Sequence, residues 1–249
     1  WNSVRGLWSR KYISRIALQP IDLKIESGQI IGLVGANGAG KTTLLKILSG
    51  LIHPTAGEAR VLGHIPWRRE EAFLRRISIL LGQKNQLWWD IPAADSFELL
   101  ARIYDLPASE TKRRYSELAE LLDCTHVLHT QLRRLSLGER MKMEIIGSLL
   151  HKPEVLFLDE PTIGLDVVAQ TKIRAFLSEY VKEYHPTVIL TSHYMDDIAR
   201  LADRLLLISK GRLVYDGTVQ EFVQKSEQEQ KVILRYAEPL RTRIVLDSG

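Results

Sequence analysis

Residues 28–51, GQIIGLVGANGAGKTTLLKILSGL, constrain the fold more than any other stretch of this chain. Ile30, Ile31, Leu33 and Val34 form a short apolar run that ends in glycines. Such a run reads as a buried strand entering a tight turn. Beyond the turn, Leu44, Leu45, Ile47, Leu48 and Leu51 recur at helical spacing, and Pro54 and Gly57 are expected to end that helix. Between strand and helix, Gly35–Thr42 (GANGAGKT) fits the pattern G-x-x-x-x-G-K-[ST]. The glycines let the backbone curl until its N–H groups face phosphate oxygens, and the helix start adds a positive end. Lys41 is placed to reach β- and γ-phosphates, and the Thr42 hydroxyl to coordinate Mg²⁺. With a strand before it and a helix after it, the loop reads as a nucleoside triphosphate site. Its expected ligand contacts are Gly35, Asn37, Gly38, Ala39, Gly40, Lys41, Thr42 and Thr43.

The other half of that chemistry stands at VLFLDE, residues 155–160. Four apolar residues bury a strand and deliver two carboxylates at its C-terminal end, where ligands sit in open parallel sheets. Asp159 is the expected Mg²⁺ partner, directly or through water, and Glu160 the general base for an attacking water. Further apolar runs at 77–81, 187–191, 204–209 and 212–217 alternate with helical patterns, one of them a helix from Gln170 to Tyr184. That alternation predicts an α/β fold with a mainly parallel central sheet. The mostly helical stretch 92–151 interrupts it and reads as an inserted helical subdomain. Residues 1–91 and 152–227 then form the α/β core. Residues 228–249, with KVILRY and TRIVLD, read as a partial C-terminal extension.

Composition narrows the class. Of 249 residues, 45% are hydrophobic and 26% charged, which fits a globular chain with a real core. No apolar run approaches the roughly 20 residues needed to cross a bilayer. The opening WNSVRGLWSRKY has no leader-peptide pattern, and its Trp1 in place of methionine reads as a piece of a longer chain. The single Cys124 fits a reducing compartment. A net charge of +4 is a mild excess. Its short basic clusters, such as Lys112-Arg113-Arg114, read as solvated helix faces, with nucleic acid or anionic headgroups as the other possibility.

Taken in order, the motifs resemble those of the ATP-binding cassette (ABC) family. They are the phosphate loop, Gln83 after a strand, LSLGE at 135–139, Asp159-Glu160, GLD at 164–166, and His193 after a strand. The resemblance covers nearly the whole chain and implies a P-loop NTPase fold with an antiparallel β element. It also implies a head-to-tail pair of cassettes with ATP between the phosphate loop of one and the signature of the other. On that reading Ser136, Gly138 and Glu139 face the partner's nucleotide, from just before a helix at RMKMEIIGSLL. Gln83 links Mg²⁺ and the attacking water to the helical arm, in competition with Gln86. His193 holds the γ-phosphate and the water, and Asp166 contacts the opposite subunit. Tyr12 is the candidate to stack on adenine, or else an ordinary packing tyrosine. The signature departs from the commoner LSGGQ: Leu137 replaces the first glycine and Glu139 the glutamine.

The resemblance implies an ATPase motor subunit with ATP and Mg²⁺ as cofactors. Its expected partners are a second ABC ATPase domain, as a homodimer, and a separate transmembrane permease. Its place is then peripheral, on the cytoplasmic face of the cell membrane, and no nucleic acid is expected. Residues 82–97 and the region 135–168 look most like bacterial export-type subunits. Trp88 and Trp89 either line the permease dock or pack between subdomains. The alternative is a soluble ABC ATPase acting on nucleic acid, ribosomes or an assembly partner. A switch without hydrolysis sits poorly with Glu160 and His193.

Overall fold

A computed structural model describes residues 16–81, 85–192 and 194–228. Six strands form one sheet: β1 (Ile30–Val34), β2 (Ile77–Leu81), β3 (Val155–Asp159), β4 (Thr187–Thr191), β5 (Arg204–Ser209) and β6 (Arg212–Thr218). Their spatial order is β2-β3-β4-β1-β5-β6. Among the described residues all neighbouring strands of this sheet run parallel except β5 and β6, which pair antiparallel and close an edge. The expected mainly parallel α/β sheet is therefore present. Burial follows topology: every residue of the inner strand β4 is buried, whereas edge strand β6 buries none.

Each inner strand divides its side chains between two cores, because successive residues face opposite sides of a sheet. Ile31, Leu33, Val155, Phe157, Ile189, Leu206 and Ile208 pack on one face. There they meet α1 (Lys41–Leu48) through Leu44 and Leu45, and α2 (Glu71–Leu74) through Phe73. Leu156, Leu158, Val188, Leu190 and Leu205 pack on the other. That face is covered by α5 (Leu137–Leu149), α6 (Val167–Tyr184) and α7 (Met195–Leu201). Helix α7 approaches β1 so closely that a Cβ on Gly32 would lie 2.5 Å from Ile198 Cγ2. α8 (Val219–Gln228) follows β6.

Between β2 and β3 the chain forms α3 (Ala93–Ile103), α4 (Ala108–Leu121) and then α5. Phe97 of α3 meets Tyr115 of α4, with ring centroids 5.4 Å apart. Buried Arg114 of α4 donates to the Tyr184 hydroxyl at 2.8 Å and the Tyr180 hydroxyl at 3.3 Å, tying these helices to α6.

Three helix ends differ from the sequence reading. Helix α1 stops at Leu48, short of Leu51, because Gly50 takes a φ of 74°. The N–H of Leu51 then returns to Lys46 and that of Gly50 to Ile47, a Schellman ending. Helix α6 begins at Val167, earlier than Gln170, because the Asp166 carboxylate caps it by accepting from Ala169 N–H at 2.9 Å. Helix α5 begins at Leu137, so Gly138 and Glu139 lie inside its first turn rather than ahead of it.

Phe157 is fully buried in the middle of β3. Phe157→Ala is expected to lower the unfolding free energy by about 3–5 kcal/mol, read from urea denaturation.

Candidate functional site

Parallel pairing places the C-terminal ends of β1, β3 and β4 at one edge of the sheet. The loop leaving β1 is built around glycines for steric reasons. A Cβ on Gly35, at φ 152°, would lie 2.2 Å from the Ile208 carbonyl oxygen. A Cβ on Gly40, at φ 116°, would lie 2.6 Å from Leu18 Cδ2 and 2.8 Å from the Ala17 carbonyl oxygen. Gly40 is also the N-cap of α1 and offers no side-chain acceptor, so the helix's first N–H groups suit an anion. Lys41 is buried, and its Nζ donates to the carbonyls of Gly35 at 2.7 Å and Ala36 at 3.3 Å. The loop walls a cleft of about 330 Å³, lined by Ala17, Asn37, Gly38, Ala39, Gly40, Lys41, Thr42, Thr43 and Glu160.

Across the cleft stands the acidic strand end. The Thr42 hydroxyl donates to Asp159 Oδ2 at 2.9 Å, so helix α1 and strand β3 meet at this pair. Thr191, at the end of β4 and fully buried, donates to Asp159 Oδ1 at 2.8 Å. The same Thr191 hydroxyl accepts the Glu160 N–H at 3.0 Å, and Glu160 adopts a left-handed φ of 58°. The carboxylate thus turns out of the strand line and joins the lining of the cleft. One hydroxyl and one carboxylate suit a magnesium ion that draws its other oxygens from phosphates and water. Among the described residues no group of three or more His, Cys, Asp or Glu gathers to cage a metal with protein ligands alone.

The LSLGE segment forms a capping box. Ser136 is the N-cap of α5, and its hydroxyl accepts the Glu139 N–H at 3.3 Å. Glu139 reaches back to accept the Ser136 N–H at 2.9 Å and its hydroxyl at 2.7 Å. These Ser136 donors, with His126 at 3.5 Å, hold the Glu139 carboxyl below its ordinary value of 4.5. Two helix starts meet here: a Cβ on Gly138 would touch Ala169 Cβ at 3.1 Å, and one on Gly164 would touch Leu137 Cδ2 at 3.4 Å. So Ser136, Gly138, Glu139 and Asp166 lie close together. Tyr12, Gln83 and His193 lie outside the described residues, as does the extension beyond Gln228.

Comparison with known proteins decides the family. The ABC transporter family model matches residues 18–163. The chain is 35% identical over 238 residues to the daunorubicin resistance ATP-binding protein DrrA3 of Streptomyces coeruleorubidus, covering 95% of this chain and 75% of that protein. It is 30% identical to the bacitracin transport ATP-binding protein BcrA of Bacillus licheniformis, over 83% of this chain and 66% of that one. Its fold is similar to that of CbiO1 from Clostridium perfringens, part of the CbiONQ ABC transporter complex, with TM-score 0.75 at 28% identity. That likeness covers 85% of this chain and 86% of CbiO1. The chain belongs to the ABC transporter family. It is an ATP-binding, ATP-hydrolysing subunit.

Within this ABC subunit the sequence reading missed Thr191 and Glu144. Thr191 was legible only as the end of an apolar strand. Glu144 sits in the middle of α5, buried, and accepts the N–H of Gln86 at 3.0 Å and of Leu87 at 3.3 Å. Burial pushes its carboxyl up, against the pull of those two N–H donors. One turn earlier, the Arg140 guanidinium lies 4.7 Å over the Trp89 ring. A Cβ on Gly147 would meet Leu87 Cδ2 at 3.0 Å, so the same helix face leaves room for Leu87. The Gln86 side chain turns back to donate to the Ile79 carbonyl at 2.6 Å. Trp88 and Trp89 are 43% and 41% exposed, so neither indole is a core residue.

The capping box has a pH signature. Glu139 titrates below its unfolded value, so its contribution is present above about pH 4.5 and fades as the pH falls through the lowered folded value. Glu139→Ala is expected to cost about 1 kcal/mol at pH 7. Urea unfolding at a series of pH values should show the wild-type advantage shrinking toward zero in acid.

Proposed function

We propose that the chain is the motor of an export-type ABC transporter, working as a head-to-tail homodimer on the cytoplasmic face of a membrane beside a separate permease. The observation that carries the hydrolytic reading is the meeting of Thr42, Asp159, Thr191 and Glu160 at one cleft edge beside the phosphate loop. Export is supported by the resistance and transport roles named for DrrA3 and BcrA. Among the described residues no helix is long and apolar enough to cross a membrane, which is consistent with a permease carried on another chain. The proposed organisation is a core of residues 1–91 and 152–227, a signature arm of 92–151 and an extension of 228–249.

The site residues take these roles. The loop N–H groups from Gly35 to Thr43 and the Lys41 ammonium hold the phosphates of ATP. Thr42 and Asp159 would hold Mg²⁺, with Gln83 completing the set. Bound there, that ion neutralises charge on the β- and γ-phosphates. Glu160 takes a proton from the attacking water, and His193 orients the water against the γ-phosphate. Tyr12 stacks on adenine. Ser136, Gly138, Glu139 and Asp166 meet the nucleotide and loop of the partner copy, so ATP closes the pair and hydrolysis reopens it.

Glu160→Gln is expected to keep ATP binding while slowing hydrolysis about a hundredfold or more. Size-exclusion chromatography with ATP should then show a trapped dimer. Normal turnover in that variant would remove Glu160 from the base role. Exposed Trp88 and Trp89 are assigned to the permease dock. Replacing both with alanine should weaken capture of the permease from solubilised membranes more than it lowers basal hydrolysis. The opposite pattern would favour simple packing.

A further inference from the structure

Beside the segment that follows Glu160 lies a buried polar cluster that none of the assigned steps uses. Asp197, in the first turn of α7, is 1% exposed. Its carboxylate accepts the Thr162 hydroxyl at 2.6 Å and the Ser192 hydroxyl at 2.5 Å. It also pairs with the Arg174 guanidinium of α6. Arg174 in turn donates to Gln170 Oε1 at 3.0 Å, one helical turn earlier. The amide of Gln170 donates to the carbonyls of Leu165 at 3.0 Å and Thr162 at 3.4 Å.

The cluster therefore grips Thr162 and Leu165, which lie between Glu160 and Asp166. Thr162 comes two residues after Glu160, and Leu165 comes directly before Asp166. Ser192 follows Thr191, which itself accepts the Glu160 N–H. Asp197 thus joins the end of β4 to the turn after β3, and neither it nor its partners Thr162, Ser192 and Arg174 belong to the cleft lining. A buried ion pair is a poor way to gain stability, because apolar packing of the same volume does as well or better. What it supplies is direction: several donors and acceptors meet at fixed positions around one turn and hold it in one geometry.

We infer that Asp197, held by Arg174, is a positioning residue for hydrolysis that fixes the backbone carrying Glu160 and Asp166. The inference rests on the assignment of Glu160 as the base. Asp197 acts through that backbone and touches no nucleotide.

The test uses the purified full chain in a steady-state ATPase assay, alongside titration of a fluorescent ATP analogue and thermal melting. Asp197→Asn removes the charge, whereas Thr162→Val removes one donor and leaves the Asp197–Arg174 pair in place should the first variant fold poorly. Both are expected to lower kcat about tenfold per folded molecule, with KM for ATP and analogue affinity changed less than about twofold. A merely structural role would lower the melting temperature and leave kcat per folded molecule unchanged. Unchanged kcat in both variants, or a loss matched by lost analogue affinity, overturns the inference. Glu160→Gln in the same assay separates the two levels. If it turns over normally, the base assignment falls and this inference with it. If it is inactive while both other variants are normal, only the positioning role falls.

Discussion

The Thr191 hydroxyl is the hinge of the whole site. It donates to Asp159 and accepts from Glu160 N–H, so one buried side chain fixes both carboxylate-bearing residues. It can do so only because of register. Thr191 pairs with Leu33 of β1 on one side and with Asp159 of β3 on the other. Shifting β4 by one residue would send that hydroxyl to the opposite face of the sheet and bring Leu190 or Ser192 into its place. The apolar alternation that fills the two cores is therefore what sets the polar geometry. Hydrophobic burial picks the register, and the register delivers the hydroxyl.

The phosphate loop shows a second dependence, between tight packing and charge. Lys41 is buried with carbonyl oxygens at its ammonium group. Carbonyl dipoles solvate a cation only partly, and an incompletely solvated buried cation is an unfavourable arrangement for folding alone. Phosphate oxygens would supply the full negative charge that the loop's own carbonyls do not. The same loop tolerates no Cβ at Gly35 or Gly40, where backbone or Leu18 already fills the space. Loop curvature, the buried lysine and the uncapped start of α1 then point to the same ligand class.

Periodicity and local motifs carried most of this fold in the sequence. The five later apolar runs, residues 77–81 through 212–217, coincide with strands; the parallel ones write themselves as apolar residues because the sheet buries both their faces, whereas antiparallel edge strand β6 carries the polar alternation of an exposed edge. Helix ends were less legible, since they were decided by Gly50, Asp166 and the Ser136–Glu139 box rather than by the apolar stripe. Short α2 and α7 carry too few turns to show a period. In the site, Lys41, Thr42, Asp159 and Glu160 were readable because their spacing is local. Thr191, Glu144 and Asp197 were not, because each works through contacts 31 to 58 residues away in sequence or through a buried network. A mid-helix glutamate such as Glu144 looks like a solvated charge until a distant loop closes over it.

Helix α5 explains how the two ends of the proposed motor can act together. Its N-terminus carries the Ser136–Glu139 box, and one to two turns on, Arg140 and Glu144 hold residues 86–89. From Ser136 to Glu144 the helix rises about 12 Å as a single hydrogen-bonded rod. If that rod moves as one body, displacement of the signature would carry the Trp88–Trp89 surface with it. The buried acceptor matters because backbone N–H groups of Gln86 and Leu87 would otherwise be left unpaired under the helix. Loosening the clamp therefore exposes a cost of its own, which keeps the segment and helix together as one body. In the proposed motor, whose substrate path would lie in another chain, such a body would turn a change at the phosphates into a displacement at the proposed dock.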